Sequence, residues 1–511
     1  MAKFANSTTT ARPKPVLPTV VTDTVVRNAD TGYGYAADAK TELFTAAVTS
    51  LVEPKFYESD GGRERISALV HAVTKADPDW VRRLVPYLRN ELGLRSIAAL
   101  IACEYAVAGG PEPRSVINSA CARADEPAEI LGYWLSTQGR KIPSSVKRGV
   151  ADAARRLYNG YTALKYDGGN VRMGDVLNLA HPTPRDDDQA ALFGWLLDRR
   201  HGNKTSEVVP ASVEAHQRLM DVPEADRRAF VDSNPTALRD ARWTWERLAA
   251  WLPGGMDAKA WEAAIPEMPY FASLRNLRNF EQAGVSKATL RSVADFIADP
   301  GRVQASKIMP YQFYLAYRES GTSFFTQALE EALEASTANV PALSGKTLVL
   351  VDASGSMTGM GMSRNGAATP LTVAAVLASS LARNGDVDLG IYATSSGLMS
   401  QKTSVLRTIE HFESLVGCHG HGTETWAAVR NLYDPSKHDR IVILSDMQDN
   451  RGMSTSAPKG VPIYMWDLAG SRVKSITTTT PGHYLLAGFS DKCFTWLDQV
   501  ERCRGGADWP F

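Results

Sequence analysis

Thr347-Leu-Val-Leu-Val-Asp352-Ala-Ser354-Gly-Ser356-Met357 is the stretch that decides how this chain is read. An apolar, β-prone run stops at an aspartate, and two serines follow at two-residue spacing. Such a strand end presents hard oxygen donors to one point, as a magnesium-type cation requires. The same residues also suit a plain strand followed by a Ser/Gly turn. Other segments must separate the two readings.

Downstream of Gly345 the strand pattern recurs. Residues 387–393, 440–446, 462–466 and 484–487 read as short strands, with helical stretches at about 370–383, 426–432 and 494–502. This alternation predicts a parallel, doubly wound sheet with right-handed crossovers. Its strands are apolar runs because both faces are covered. Ligands of such sheets lie beyond the carboxyl ends of the strands. Asp352 and Asp446 each terminate an apolar strand, so the topology couples residues far apart in sequence.

Upstream the period is different. From about 38 to 338 the chain reads as helices of roughly a dozen residues, broken by Pro and Gly. Asp77-Pro78-Asp79 is an N-cap followed by proline at the first helical position. Trp80, Val81, Leu84, Val85 and Leu88 follow at helical spacing. Short helices in series suit a degenerate helical-repeat solenoid, with an irregular bundle as the alternative. The first thirty residues, with Thr8-Thr9-Thr10 and Pro13, Pro15 and Pro18, read as an extended or disordered arm. The expected domains are therefore an arm (1–30), a helical region (31–343) and an α/β domain (344–511).

Composition narrows the function classes. The 511 residues carry no formal net charge, so any nucleic-acid site must be a local patch. Five cysteines without Cys-x-x-Cys spacing argue against a disulfide framework and for a reducing, cytoplasmic setting. Neither a signal-peptide core nor an apolar run of about 18 residues is present, so no membrane association is expected. Between 140 and 175 lies a local patch: Arg140, Lys141, Lys147, Arg148, Arg155, Arg156, Lys165 and Arg172 oppose only Asp152, Asp167 and Asp175. It reads either as a solvated face or as a phosphate-binding surface.

The Gly-rich segment Cys418-His-Gly-His-Gly-Thr423-Glu-Thr425 supplies a third part of the strand-end site. With it, Asp352, Ser354, Ser356, Thr423 and Asp446 resemble the ligand set of a von Willebrand factor A-type domain, over about 344–511. That resemblance implies a metal-ion-dependent adhesion site holding Mg2+. Magnesium keeps several waters, so a coordination position is left for an acidic group from elsewhere. A haloacid-dehalogenase-type phosphatase needs a second aspartate where Ser354 stands. A phosphate-binding loop is excluded because Val340 replaces its first glycine and the segment precedes a strand. Cys418, His419 and His421 lack a partner pair for zinc, and Met357, Met360 and Met362 read as a loop beside the site.

Three further blocks carry a wider resemblance: Ala163-Leu-Lys165-Tyr166 with Arg172 to His181-Pro182, Glu267 to Arg278, and Lys307 to Phe313. Together with the terminal domain they resemble the TROVE-domain family of the Ro 60-kDa autoantigen. The resemblance implies a monomeric ring of HEAT-like helical repeats closed by the A-type domain. It implies Y-like small noncoding RNA on the outer surface and single-stranded 3′ ends of misfolded or structured RNA in a central hole. A 3′–5′ exoribonuclease is the implied protein partner, and no catalytic site is implied. Lys165 and His181 match residues of the family's RNA contact, with Arg172 between them. Lys141, Lys147, Arg148 and Arg155 complete the outer patch, while Arg275 and Arg278 are inner-rim candidates. Tyr270, Phe271 and Tyr311 serve either base stacking or core packing. The alternative function is a metal-dependent adhesion scaffold for an acidic protein.

Overall fold

The computed structural model describes residues 25–27, 33–36, 39–49, 60–202, 209–234, 236–320, 324–359, 369–449, 457–469, 473–476, 480, 482–487, 494, 497, 509 and 511. The polar N-terminal stretch 1–24, the Met360 and Met362 positions and most of the helix expected at 494–502 lie outside them. Helices dominate from Ala39–Thr49 to Thr326–Ser336, and a six-stranded sheet with flanking helices follows from Lys346. The combined α and α/β class read from the periodicity is the class observed.

Local chemistry accounts for the helices. In Pro78–Pro86 the Asp77 carboxylate accepts the Trp80 N–H at 3.1 Å, and Trp80, Val81, Leu84 and Val85 face inward. The cap satisfies one donor that the first turn cannot pair by itself. Successive helices pack on near neighbours, as Ala39–Thr49 does on Asp60–Ala76 and Pro113–Ser119 on Ser144–Leu157.

The sheet order is β5-β4-β3-β6-β7-β9, with β3 Lys346–Asp352, β4 Asp386–Tyr392, β5 Ser396–Met399, β6 Arg440–Ser445, β7 Ile463–Asp467 and β9 His483–Ala487. Strands β4, β3, β6, β7 and β9 run parallel, as the alternating pattern requires. Strand β5 corrects the all-parallel expectation: it returns antiparallel beside β4 and forms an edge. Only three residues separate it from β4, too few for a crossover, so it can only turn back. The helix Val405–Ser414 is also additional; it buries Val405, Leu406, Ile409 and Phe412 at helical spacing.

A second, three-stranded sheet was not legible at all. Strands β1 Val25–Arg27 and β2 Tyr33–Ala36 pair with each other, and β2 pairs with β8 Val473–Lys474. Residues at the two ends of the chain are thereby joined. The junction is reinforced by an aromatic cluster in which Trp509 lies 5.2 Å from Phe44 and 5.0 Å from Trp80, and Phe511 lies 5.1 Å from Tyr87. Trp80 is 1% exposed. At the other end of the helical array, Glu413 accepts hydrogen bonds from Tyr314 and Arg318, both at 3.0 Å. Glu334 pairs with Arg383 and accepts the Val405 N–H. The α/β domain is thus tied to both ends of the helices.

The two seams differ in strength. Phe44, Trp80 and Tyr87 are buried at the aromatic seam, where full burial contributes roughly 1.5–3 kcal/mol per side chain and the half-buried Trp509 and Phe511 somewhat less, whereas a half-exposed ion pair such as Arg318–Glu413 contributes about 0–1 kcal/mol. The Trp509→Ala/Phe511→Ala double variant should therefore lower the thermal midpoint and enlarge the radius of gyration in small-angle scattering. Arg318→Ala should leave the scattering profile as in the parent; an unchanged profile in both would show that the aromatic seam does not hold the ends together.

Candidate functional site

The parallel register sets Val351 of β3 beside Leu444 of β6, so Asp352 and the Ser445-Asp446 pair emerge together at one sheet edge. The Asp352 carboxylate accepts the Ser354 N–H at 2.9 Å on one oxygen and the Ser445 hydroxyl at 2.7 Å on the other. Ser354 and Ser356 hydroxyls share a 3.2 Å hydrogen bond. The Gly-rich loop is docked over this turn, since Gly355 N–H donates to the His421 carbonyl at 3.0 Å and Glu424 N–H to the Ala393 carbonyl at 3.0 Å. Gly420 permits the approach: its φ is +87°, and a Cβ there would sit 2.6 Å from Thr394 Oγ1. Thr423, in that loop, is buried, as are Asp352, Ser354 and Asp446, while Ser356 is half-buried.

Two buried carboxylates at one strand edge carry an electrostatic cost. Burial, and then the charge of Asp446, push the Asp352 carboxyl up to about 7. A cation between them would offset both the lost hydration and the charge of Asp446. The donors are carboxylate and hydroxyl oxygens without sulfur or imidazole, a set suited to magnesium, calcium or manganese rather than zinc or copper. Among the described residues no three His, Cys, Asp or Glu side chains gather as a metal site. In the Gly-rich loop Cys418 is exposed, and His419 Nδ1 lies 3.2 Å from the Ser395 hydroxyl.

The same edge holds side chains that sequence reading missed. Asp467 ends β7 in register with Ser445 and is buried, and Asp449 is buried beyond β6. The signal for Asp467 was available, because it too closes an apolar strand. Ser445 was hidden because its role depends on a neighbouring strand rather than on its own segment.

On the helical side, Ser144–Leu157 buries Val146, Val150, Ala153 and Ala154 and leaves Arg148 and Arg155 exposed, with Lys147 half-exposed. Lys141, Lys165, Arg172 and His181 are exposed along the segments that precede and follow it. His181 ends the helix Met173–Ala180 in the left-handed region, with φ 51°. Arg156 is exposed too, but its guanidinium is held by the Asn118 and Cys121 carbonyls at 3.0 and 2.6 Å. The three opposing acids are each engaged by an arginine from another helix or its edge: Asp152 by Arg114 at 2.6 Å, Asp167 by Arg199 at 3.3 Å, and Asp175 by Arg200 at 2.6 Å. Among the described residues Lys141, Lys147, Arg148, Arg155 and Arg172 form no ion pair. The face is more cationic than its local sequence implies.

Arg275 and Arg278 are exposed on the helix Tyr270–Gln282. The three aromatic residues of that reading separate in the structure. Tyr270 donates to the Ile297 carbonyl at 2.6 Å and packs on Phe296, and Tyr311 lies against the core. Phe271 is 42% exposed, with the Arg275 guanidinium 5.9 Å from its ring.

The family model described as TROVE domain matches residues 240–337. The matched segment contains Arg275 and Arg278 and ends before the sheet begins. The fold of this chain is similar to that in the crystal structure of the Deinococcus radiodurans Ro (RSR) protein, with a TM-score of 0.63 and 17% identity over 83% of this chain and 92% of that chain. At that identity the likeness establishes the fold. No curated protein matches the sequence.

The Asp352 shift has a measurable consequence. Without a cation the folded protein keeps this proton up to about pH 7, whereas the unfolded chain releases it near the ordinary 3.8. The folded state therefore binds more protons between those values, and this group's stabilisation is full below pH 3.8 and is lost as pH rises towards 7. In chelator, the thermal midpoint of the parent protein should fall more steeply between pH 5 and about 7 than that of Asp352→Asn. Parallel curves would contradict the assignment.

Proposed function

We propose that this chain is a member of the TROVE-domain family and a non-enzymatic RNA-binding scaffold whose outer basic face holds a Y-like small noncoding RNA. The carrying observation is the charge pattern between 140 and 181. Asp152, Asp167 and Asp175 are occupied by arginines from elsewhere, while Lys141, Lys147, Arg148, Arg155 and Arg172 project without ion pairs among the described residues. Such cations displace counterions from phosphates, which is where most non-specific RNA affinity originates. Phe271, Arg275 and Arg278 combine an exposed ring with two cations, a combination that holds single-stranded RNA by stacking and charge. They are the proposed contact for single-stranded 3′ ends of misfolded or structured RNA, from which a 3′–5′ exoribonuclease would receive its substrate.

We further infer that Asp352, Ser354, Ser356, Thr423 and Asp446 hold Mg2+. When bound, the ion supplies positive charge at the sheet edge and a coordination position for an acidic group. The residues themselves orient the donors: Ser445 and the Ser354 N–H fix the Asp352 carboxylate, and the His421 carbonyl holds the turn closed on the loop that carries Thr423. This site supports a second reading, a metal-dependent adhesion surface for an acidic protein. Among the described residues no helix is long and apolar enough to cross a membrane, which is compatible with the cytoplasmic role proposed.

Gel-shift titration of a Y-like RNA over a salt series tests the first reading. Arg148→Ala and Arg155→Ala should each weaken binding and flatten the log–log salt slope by about 0.7–0.9; parent-like affinity in both would remove the face from consideration. Thermal shift tests the second site. Magnesium should raise the midpoint of the parent but not of Asp352→Ala, while RNA affinity stays the same in both. A collapse of RNA affinity in folded Asp352→Ala would show that the two sites are one.

A further inference from the structure

Lys165 differs from the other cations of the basic face in how it is held. Its Nζ donates to the Tyr161 hydroxyl at 3.1 Å and lies 5.5 Å from the Tyr161 ring and 5.3 Å from the Tyr166 ring. The Arg123 guanidinium stands over the same Tyr166 ring at 4.6 Å. Arg123 is in turn clamped by the Asp125 carboxylate through contacts of 3.2 and 2.9 Å. Asp125 accepts Arg95 at 2.6 Å, and Arg95 reaches Glu126 at 2.9 Å. Glu126 is fully buried and further accepts Arg89 and the backbone N–H groups of Ala122 and Arg123.

A chain of charge pairs and rings therefore runs from the core to one surface ammonium. Partial burial lowers the Lys165 pKa, but the Tyr161 hydroxyl and both phenols outweigh it, and the net shift is upward. Lysine is a flexible point charge, and freezing its long side chain opposes binding. Here the freezing has already occurred in the free protein.

We propose that Tyr161, Tyr166 and Arg123 are positioning residues that hold Lys165 as a pre-oriented anchor for one RNA phosphate on the outer face. The proposal rests on the RNA-binding reading above. Tyr161 is 38% exposed, so it can be replaced without disturbing the core. Arg148 and Arg155, exposed on the preceding helix, have no such aromatic contacts among the described residues.

The test uses the full chain, a fluorescently labelled synthetic hairpin RNA with a 3′ single-stranded tail, and Kd measured across a salt series. Tyr161→Leu and Tyr166→Leu keep every positive charge. Each should weaken binding about two- to twelvefold, the factor for immobilising one long side chain, with the salt slope unchanged. Lys165→Ala should weaken binding and flatten the slope by about 0.7–0.9. Added to Lys165→Ala, Tyr161→Leu should have no further effect, because its partner is gone. Parent-like binding by both tyrosine variants, or an equal loss from Tyr161→Leu with and without Lys165, overturns the positioning role while leaving the RNA face intact. Parent-like binding by Arg148→Ala and Lys165→Ala together overturns the RNA face itself and the anchor with it.

Discussion

A stack of short helices buries its apolar core only against its neighbours, so each end of the stack presents a face that another element has to cover. In this chain one domain covers both. The sheet and its helices receive Tyr314, Arg318 and Glu334 at the near end through hydrogen bonds and ion pairs. At the far end they receive Phe44, Trp80 and Tyr87 through aromatic contact with Trp509 and Phe511. The near seam follows directly from chain connectivity and can be polar and weak. The far seam joins segments separated by almost the whole sequence, and apolar burial with strand pairing supplies what connectivity does not.

The same domain carries a second constraint at its strand ends. A parallel sheet directs all its carboxyl-terminal strand ends to one edge, and here three strands finish in aspartate or Ser-Asp. Burying Asp352, Asp446 and Asp467 at the ends of these strands works against stability unless hydrogen bonds or a cation compensate. Ser354 and Ser445 supply part of that compensation. Burial, and then the charge of Asp446, raises the Asp352 carboxyl, and that is the cost left at this edge.

The helical half distributes charge by another rule. Its acids are drawn into pairs with arginines of adjacent helices, as in Arg114–Asp152 and Arg200–Asp175. These half-exposed pairs contribute little stability, but they change what the surface offers. Cations left on the exposed face of Ser144–Leu157 meet solvent without an ion pair among the described residues, and Lys165 is held between two tyrosines. A neutral chain thereby acquires a basic face.

Periodicity alone determined a good part of this protein. The change from helical spacing to apolar strands at Gly345, the Asp77 cap and the strand-terminal Asp352 and Asp446 are local patterns, set by backbone hydrogen bonding and side-chain direction within a few residues. Tertiary structure decided the rest. Strand β5 and the β1-β2-β8 sheet are too short to show a period, and they exist because a partner strand lies alongside. Ser445 became a partner of Asp352 through register, the Asn118 and Cys121 carbonyls hold the Arg156 guanidinium, and Phe271 separated from Tyr270 because adjacent helical positions face different ways. Sequence could name the residues able to hold phosphate or magnesium, since that depends on their chemistry. Which of them remain free to do so depends on neighbours distant in the chain, and only folding supplies those.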